Sequence, residues 1–191
     1  MSATLTLLRH PRPCVAAGIC YGRTDCAAGA DHEQALLAEL LDALPPQRVL
    51  TSPAVRCRVL ATLLCDRWQR HCEIEPRLQE MDFGRWEGLS WDAVPRTELD
   101  GWARQPVDYA SGGGESLRDM ATRVRAWACE VAAAQTDVLA VTHGGVMRLL
   151  IAWSQGEPLT SVLNIPAPGF GQILRLPFEC FAAPRPPYPH G

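Results

Sequence analysis

The chain contains no lysine: all 18 of its basic residues are arginine. That absence removes a set of chemistries, because a P-loop needs its lysine on the phosphates, and aldolases and pyridoxal enzymes need one for the Schiff base. No C-x-x-C pair occurs. The eight cysteines stand at 14, 20, 26, 57, 65, 72, 129 and 180, and even the regular step from Cys14 through Cys20 to Cys26 is wider than the paired spacing of structural zinc sites. Without a secretory leader, these thiols are expected to be reduced and the protein cytoplasmic. Long apolar runs are missing too. Stretches such as Leu149 to Trp153 fall far short of the roughly 20 residues that span a bilayer. The formal net charge is -3 and the pI about 5.9, so neither nucleic acid nor a membrane surface is an expected partner. The sequence leaves the oligomeric state open.

What is present is a globular composition, 47% hydrophobic and 20% charged over 191 residues, enough to bury a core. Residues 1–181 are expected to form one domain. Within it, 89–111 reads as an excursion able to serve as a lid, and the Pro-rich stretch 182–191 reads as a disordered tail. Apolar, β-prone runs occur at Thr4–Leu8, Arg48–Thr51, Cys72–Glu75, Asp137–Thr142 and Gln172–Leu176. Between them, Leu36, Leu37, Leu40, Leu41 and Leu44 repeat at helical spacing, as do Leu117, Met120, Val124, Trp127 and Val131. Ser52-Pro53 reads as an N-cap and first helical position for a helix running to about Arg70, and Val146–Ser154 as a further helix. Strands alternating with helices predict an α/β three-layer sandwich, a mostly parallel central sheet with helices on both faces.

In such sheets ligands gather at the carboxyl ends of the strands. Arg9-His10 ends the first run, Ser52-Pro53 leads from the second to Arg56, and Thr142-His143 ends the fourth. Arginine forks match phosphate oxygens, and an imidazole is both a nucleophile and a hydrogen-bond donor, so the set suits phosphoryl transfer. The run Gly112-Gly113-Gly114-Glu115-Ser116 lacks the G-x-G-x-x-G spacing of a nucleotide loop. It reads as a helix cap, with Glu115-Ser116 a conceivable rim for an anion.

Four strings, in order, carry a resemblance: Leu7-Leu8-Arg9-His10, Ser52-Pro53-x-x-Arg56, Glu80 ahead of Phe83-Gly84-x-Trp86-Glu87-Gly88, and Thr142-His143-Gly144-Gly145. Together they resemble the histidine phosphatase superfamily, which includes the phosphoglycerate mutases. The segment Gly18-Ile19-Cys20-Tyr21-Gly22-Arg23-Thr24-Asp25 is similar to its α-ribazole phosphatase branch, of cobalamin biosynthesis. The resemblance implies a phosphoglycerate mutase-like fold and a catalytic set of His10, Glu80 and His143. His10 would attack phosphorus, Arg9, Arg56 and His143 would hold the phosphate oxygens, and Glu80 would protonate the leaving oxygen, with Glu87 its rival. Neither a metal nor another cofactor is implied, and the partner is a small phosphate ester.

Two departures accompany it. Pro11 stands where the family has glycine, which removes a backbone donor, and Ala16 stands where mutases carry an asparagine. Arg23 is the candidate to compensate, with Gly22 and Gly144 as further substrate contacts. The short segment between Glu80 and His143, and the lack of a lysine for a glycerate carboxylate, favour hydrolysis over mutase activity. Trp86, Trp91 and Trp102 are candidates to stack a flat aglycone. Because the attacking imidazole must be neutral, activity is expected to fall on acidification through the ordinary histidine range. The alternatives are a broad-specificity phosphatase, a mutase-like enzyme on another phosphorylated metabolite, a phosphate-binding protein without turnover, and transfer of the phosphoryl group to a protein histidine.

Overall fold

The computed structural model describes residues 3–40 and 45–182. Its elements run β1 (Thr4–Arg9), α1 (Ala30–Leu40), β2 (Arg48–Thr51), α2 (Val55–Trp68), β3 (Cys72–Ile74), α3 (Arg96–Arg104), α4 (Leu117–Ala134), β4 (Val138–Thr142), α5 (Gly144–Gln155), β5 (Ile173–Pro177) and α6 (Glu179–Ala182), with short 3-10 turns between. Leu41, Leu44 and the Pro-rich tail from 183 onward lie outside the described residues.

Among the described residues the strands form one sheet in the order β3-β2-β4-β1-β5. All neighbours pair in parallel except β5, which lies antiparallel on β1. Period-2 alternation sorts the strand side chains to two faces. Leu5, Leu7, Val138 and Ala140 join α4, α5 and α6 in one apolar cluster, while Leu8, Val49, Leu139 and Val141 join α1 and α2 in the other. This is the expected three-layer arrangement.

The chain order reverses at β4, which inserts between β1 and β2. The register pairs Arg9 with Thr142 and Thr51 with Val141, so three strands end level. His10 N–H then donates to Thr142 O at 2.9 Å and Ser52 N–H to Val141 O at 3.0 Å. The first residue beyond each strand is thereby fixed beside its neighbours, at the switch point where open α/β sheets bind ligands.

Three helix boundaries differ from expectation. α2 begins at Val55 after Ala54, not at Pro53, and Ser52 Oγ is engaged elsewhere. α5 begins two residues early, at Gly144, with His143 as its N-cap residue. α6, too short to show a period in the sequence, follows β5. Ser116 does cap α4, through a reciprocal capping box with Asp119.

Candidate active site

Beyond the level ends of β1, β2 and β4 lies a cavity of about 340 Å³. Arg9, His10, Tyr21, Arg56, Glu80, Gly144 and Arg148 line one part of it, and Ile19, Phe83, Trp91, Trp102, Val162 and Leu163 another. His10 is 2% exposed, and its Nδ1 lies 2.6 Å from Pro11 O. A carbonyl only accepts, so Nδ1 carries the proton and Nε2 keeps its lone pair. The proline that removes one backbone donor thus supplies the acceptor that selects the nucleophilic tautomer.

Arg56 is fully buried at the start of α2. Its guanidinium donates to Gly22 O at 2.6 Å and Thr24 O at 2.8 Å, and to His143 Nδ1 at 3.2 Å. Since Nδ1 of His143 accepts, its Nε2 is the protonated nitrogen and donates to Ser52 Oγ at 2.7 Å. Arg9 donates to Pro168 O and lies flat over the Phe170 ring, 3.9 Å from its centroid. The Nε groups of Arg9 and Arg56 are buried without a hydrogen-bond partner. Glu80, in the loop before α3, accepts from Met81 N at 3.1 Å and from Gly145 N at 3.0 Å. A Cβ on Gly145 would sit 2.2 Å from Glu80 Oε1, so glycine there is what lets the carboxylate approach α5. These groups place a neutral imidazole, two buried guanidinium forks and a carboxylate around one space.

Residues 5–178 match the family described as histidine phosphatase superfamily (branch 1). The chain belongs to that superfamily. It is 32% identical over 171 residues to glucosyl-3-phosphoglycerate phosphatase of Mycolicibacterium vanbaalenii, covering 81% of this chain and 75% of that protein. Among solved structures, the α-ribazole phosphatase of Shigella flexneri superposes with a TM-score of 0.80 at 26% identity, over 90% of this chain and 89% of that one. A putative α-ribazole-5'-P phosphatase of Escherichia coli superposes at 0.81 over 92% of this chain and 90% of that one, at 24% identity, a likeness of fold.

Several residues named from the histidine phosphatase resemblance stand elsewhere than expected. His143 is fully buried and does not line the cavity; it backs Arg56, with its ring 5.1 Å from that of His10. Arg23 points away from the phosphate space, held between Asp82 at 3.4 Å and Glu115 at 3.5 Å. Gly22 contributes its carbonyl to Arg56 from behind, and a Cβ there would lie 1.9 Å from Met81 O, which only glycine avoids. Glu87 accepts from Arg23 N, Thr24 N, Thr24 Oγ1 and Phe83 N. It braces the loop that holds Arg56 and does not line the cavity. Glu115 is paired with Arg123 and Arg23, and Ser116 with Asp119, so neither forms a rim for an anion. Of the tryptophans, Trp86 is fully buried in a cluster with Cys20 and Val94, whereas Trp91 and Trp102 line the cavity and stack at 6.2 Å.

Sequence reasoning missed Ser52, Phe170, Tyr21 and Arg148. Ser52 carried a signal, its place at the end of β2, but the following proline made it look like a cap.

Burial, then the charge of Arg56, pushes the His10 imidazole down to about 3, and burial holds His143 well below the usual range. His10 therefore stays neutral across the ordinary imidazole range, and the acid limb expected from its protonation moves down to about pH 3. Both histidines are neutral in the folded protein but protonated in the unfolded chain below about 6.5. The unfolded state binds more protons there, so stability falls as pH drops from about 6.5 toward 3, by on the order of 1.4 kcal/mol per unit for each histidine. The urea midpoint is expected to be lower at pH 5 than at pH 7; a midpoint independent of pH would contradict the neutral, buried pair.

Proposed function

We propose that the protein is a metal-independent phosphomonoesterase that works through a phosphohistidine at His10. The observation that carries this is the Nδ1–Pro11 O bond, which leaves Nε2 unprotonated beside two guanidinium groups. In the first step the Nε2 lone pair attacks phosphorus, the P–O ester bond breaks, and its electron pair leaves on the alcohol oxygen, which takes a proton from Glu80. In the second, Glu80 accepts a proton from a water that attacks phosphorus, and the P–N bond breaks with its pair returning to Nε2. Arg9 and Arg56 supply the positive charge that a metal supplies elsewhere, with fixed donors that need no rearrangement during the reaction. His143, fully buried, acts on phosphate through Arg56.

As substrate we propose α-ribazole 5'-phosphate or the matching cobamide phosphate. The stacked Trp91 and Trp102 on the cavity wall support it, because a flat base finds aromatic faces there. A second reading, a phosphorylated acid, is favoured by the surplus of arginine in the cavity and by the 32%-identical glucosyl-3-phosphoglycerate phosphatase. The test is phosphate release from α-ribazole 5'-phosphate and 3-phosphoglycerate in the presence of EDTA. Release is expected to resist EDTA and to favour one ester. No release from any ester would return the protein to the phosphate-binding reading.

A further inference from the structure

The cavity holds a third arginine that the reaction above does not use. Arg148 lies on α5, four residues beyond Gly144, which places its Cα about 6 Å farther along the helix and on nearly the same face. Both residues line the cavity. The Arg148 Nε is buried with no hydrogen-bond partner, as are those of Arg9 and Arg56. The other two differ in one respect: their terminal nitrogens are anchored on the carbonyls of Pro168, Gly22 and Thr24. Among the described residues Arg148 makes no ion pair. It is nonetheless close enough for its charge to act on Arg9.

The charge count is uneven. Three guanidinium groups face a single carboxylate, that of Glu80. A phosphate dianion on Arg9 and Arg56 leaves the third group uncompensated, and a buried donor without an acceptor costs stability until a ligand satisfies it. We infer that Arg148 forms a second anion site in the same cavity, so that the preferred substrate is a phosphate monoester bearing a further anionic group, a carboxylate or second phosphate, a few bonds from the phosphorus. The inference rests on the phosphatase reading and deepens it. A planar guanidinium takes either group two-pronged. With apolar Trp91, Trp102 and Leu163 elsewhere on the wall, two charged anchors fix which way the ester lies. Free α-ribazole 5'-phosphate has its 5'-phosphate as sole anion, whereas the cobamide form adds a phosphodiester. The second site therefore ranks the cobamide form and phosphorylated acids above the free nucleotide.

A matched pair of esters reads this directly. 3-Phosphoglycerate and glycerol 3-phosphate differ at one end, carboxylate against hydroxymethyl. The wild type is expected to favour 3-phosphoglycerate in kcat/KM by about tenfold to a hundredfold, the worth of a charge-assisted contact. Arg148→Met is expected to bring that ratio close to one, chiefly through KM, and Arg148→Lys to restore part of it. Arg148→Gln replaces the methionine variant should that fail to fold. A wild type without preference overturns the inference, as does a variant in which both esters fall by one factor, which would place Arg148 on the phosphate or in the fold. If neither ester is turned over, the phosphatase reading fails separately. Calorimetric titration of the His10→Ala protein then decides, because tighter binding of 3-phosphoglycerate must vanish in His10→Ala/Arg148→Met. Equal binding of the two esters would overturn the second site.

Discussion

Replacing His10 with alanine is expected to cut phosphate release by about 10³-fold or more, because it removes the atom to which phosphorus is transferred. The surroundings of His10 make the prediction specific. Its main chain is pinned to Thr142 O and its Nδ1 to Pro11 O, so Nε2 is the reactive nitrogen without a base to activate it. Burial and Arg56 hold its pKa near 3, so deprotonation is not limiting at neutral pH. Glu80→Gln provides the comparison. It removes only proton transfer, worth about 10²- to 10⁴-fold, and its effect should shrink on an ester such as p-nitrophenyl phosphate, whose leaving oxygen needs no proton. The His10 deficit should be the same on both kinds of ester. A His10→Ala protein retaining a tenth of wild-type kcat would remove His10 from the nucleophile's role.

The second large effect belongs to Arg56, where activity and folding are tied together. Its fork joins the Gly22–Thr24 loop to His143 at the end of β4. Arg56→Met leaves two carbonyls and one imidazole nitrogen without their donor, each worth roughly 1–3 kcal/mol when buried, so a lower urea midpoint is expected. It also removes a fixed cation from the transferring phosphoryl group, for which about 10²- to 10³-fold in kcat is the ordinary loss. Arg56→Lys separates the two, since a single ammonium keeps the charge but cannot bridge both carbonyls and His143. Partial recovery of stability with little recovery of kcat is the expected outcome. Full recovery of kcat by lysine would show that charge alone matters and that the fork's geometry does not.

The strand ends were legible because apolar runs stop abruptly at Arg9-His10 and Thr142-His143, and parallel sheets are known to use such ends. The three layers were legible from helical and strand periods alone. Pairings across the sheet were not. Ser52 looked like a cap because Ser-Pro is a common start for a helix; its hydrogen bond to His143 depends on β2 lying beside β4, which no local pattern states. Arg23 looked available because its neighbours Gly22 and Thr24 are small and polar, while its true partners Asp82 and Glu115 come from distant segments. Trp86 is core and Trp91 and Trp102 are cavity wall, a division set by how the 83–111 segment folds on Cys20. Arg148 was hidden inside a helical apolar run, where a lone cation reads as solvated surface.

The measurement that bears most directly on the mechanism is a rapid quench of the protein with excess phosphate ester into alkaline denaturant, where phosphohistidine survives, followed by peptide mass spectrometry. A phosphoryl group on the His10 peptide, formed within one turnover and missing from His10→Ala, is the predicted result. Turnover with no adduct on that peptide, or an adduct on a cysteine instead, would contradict it.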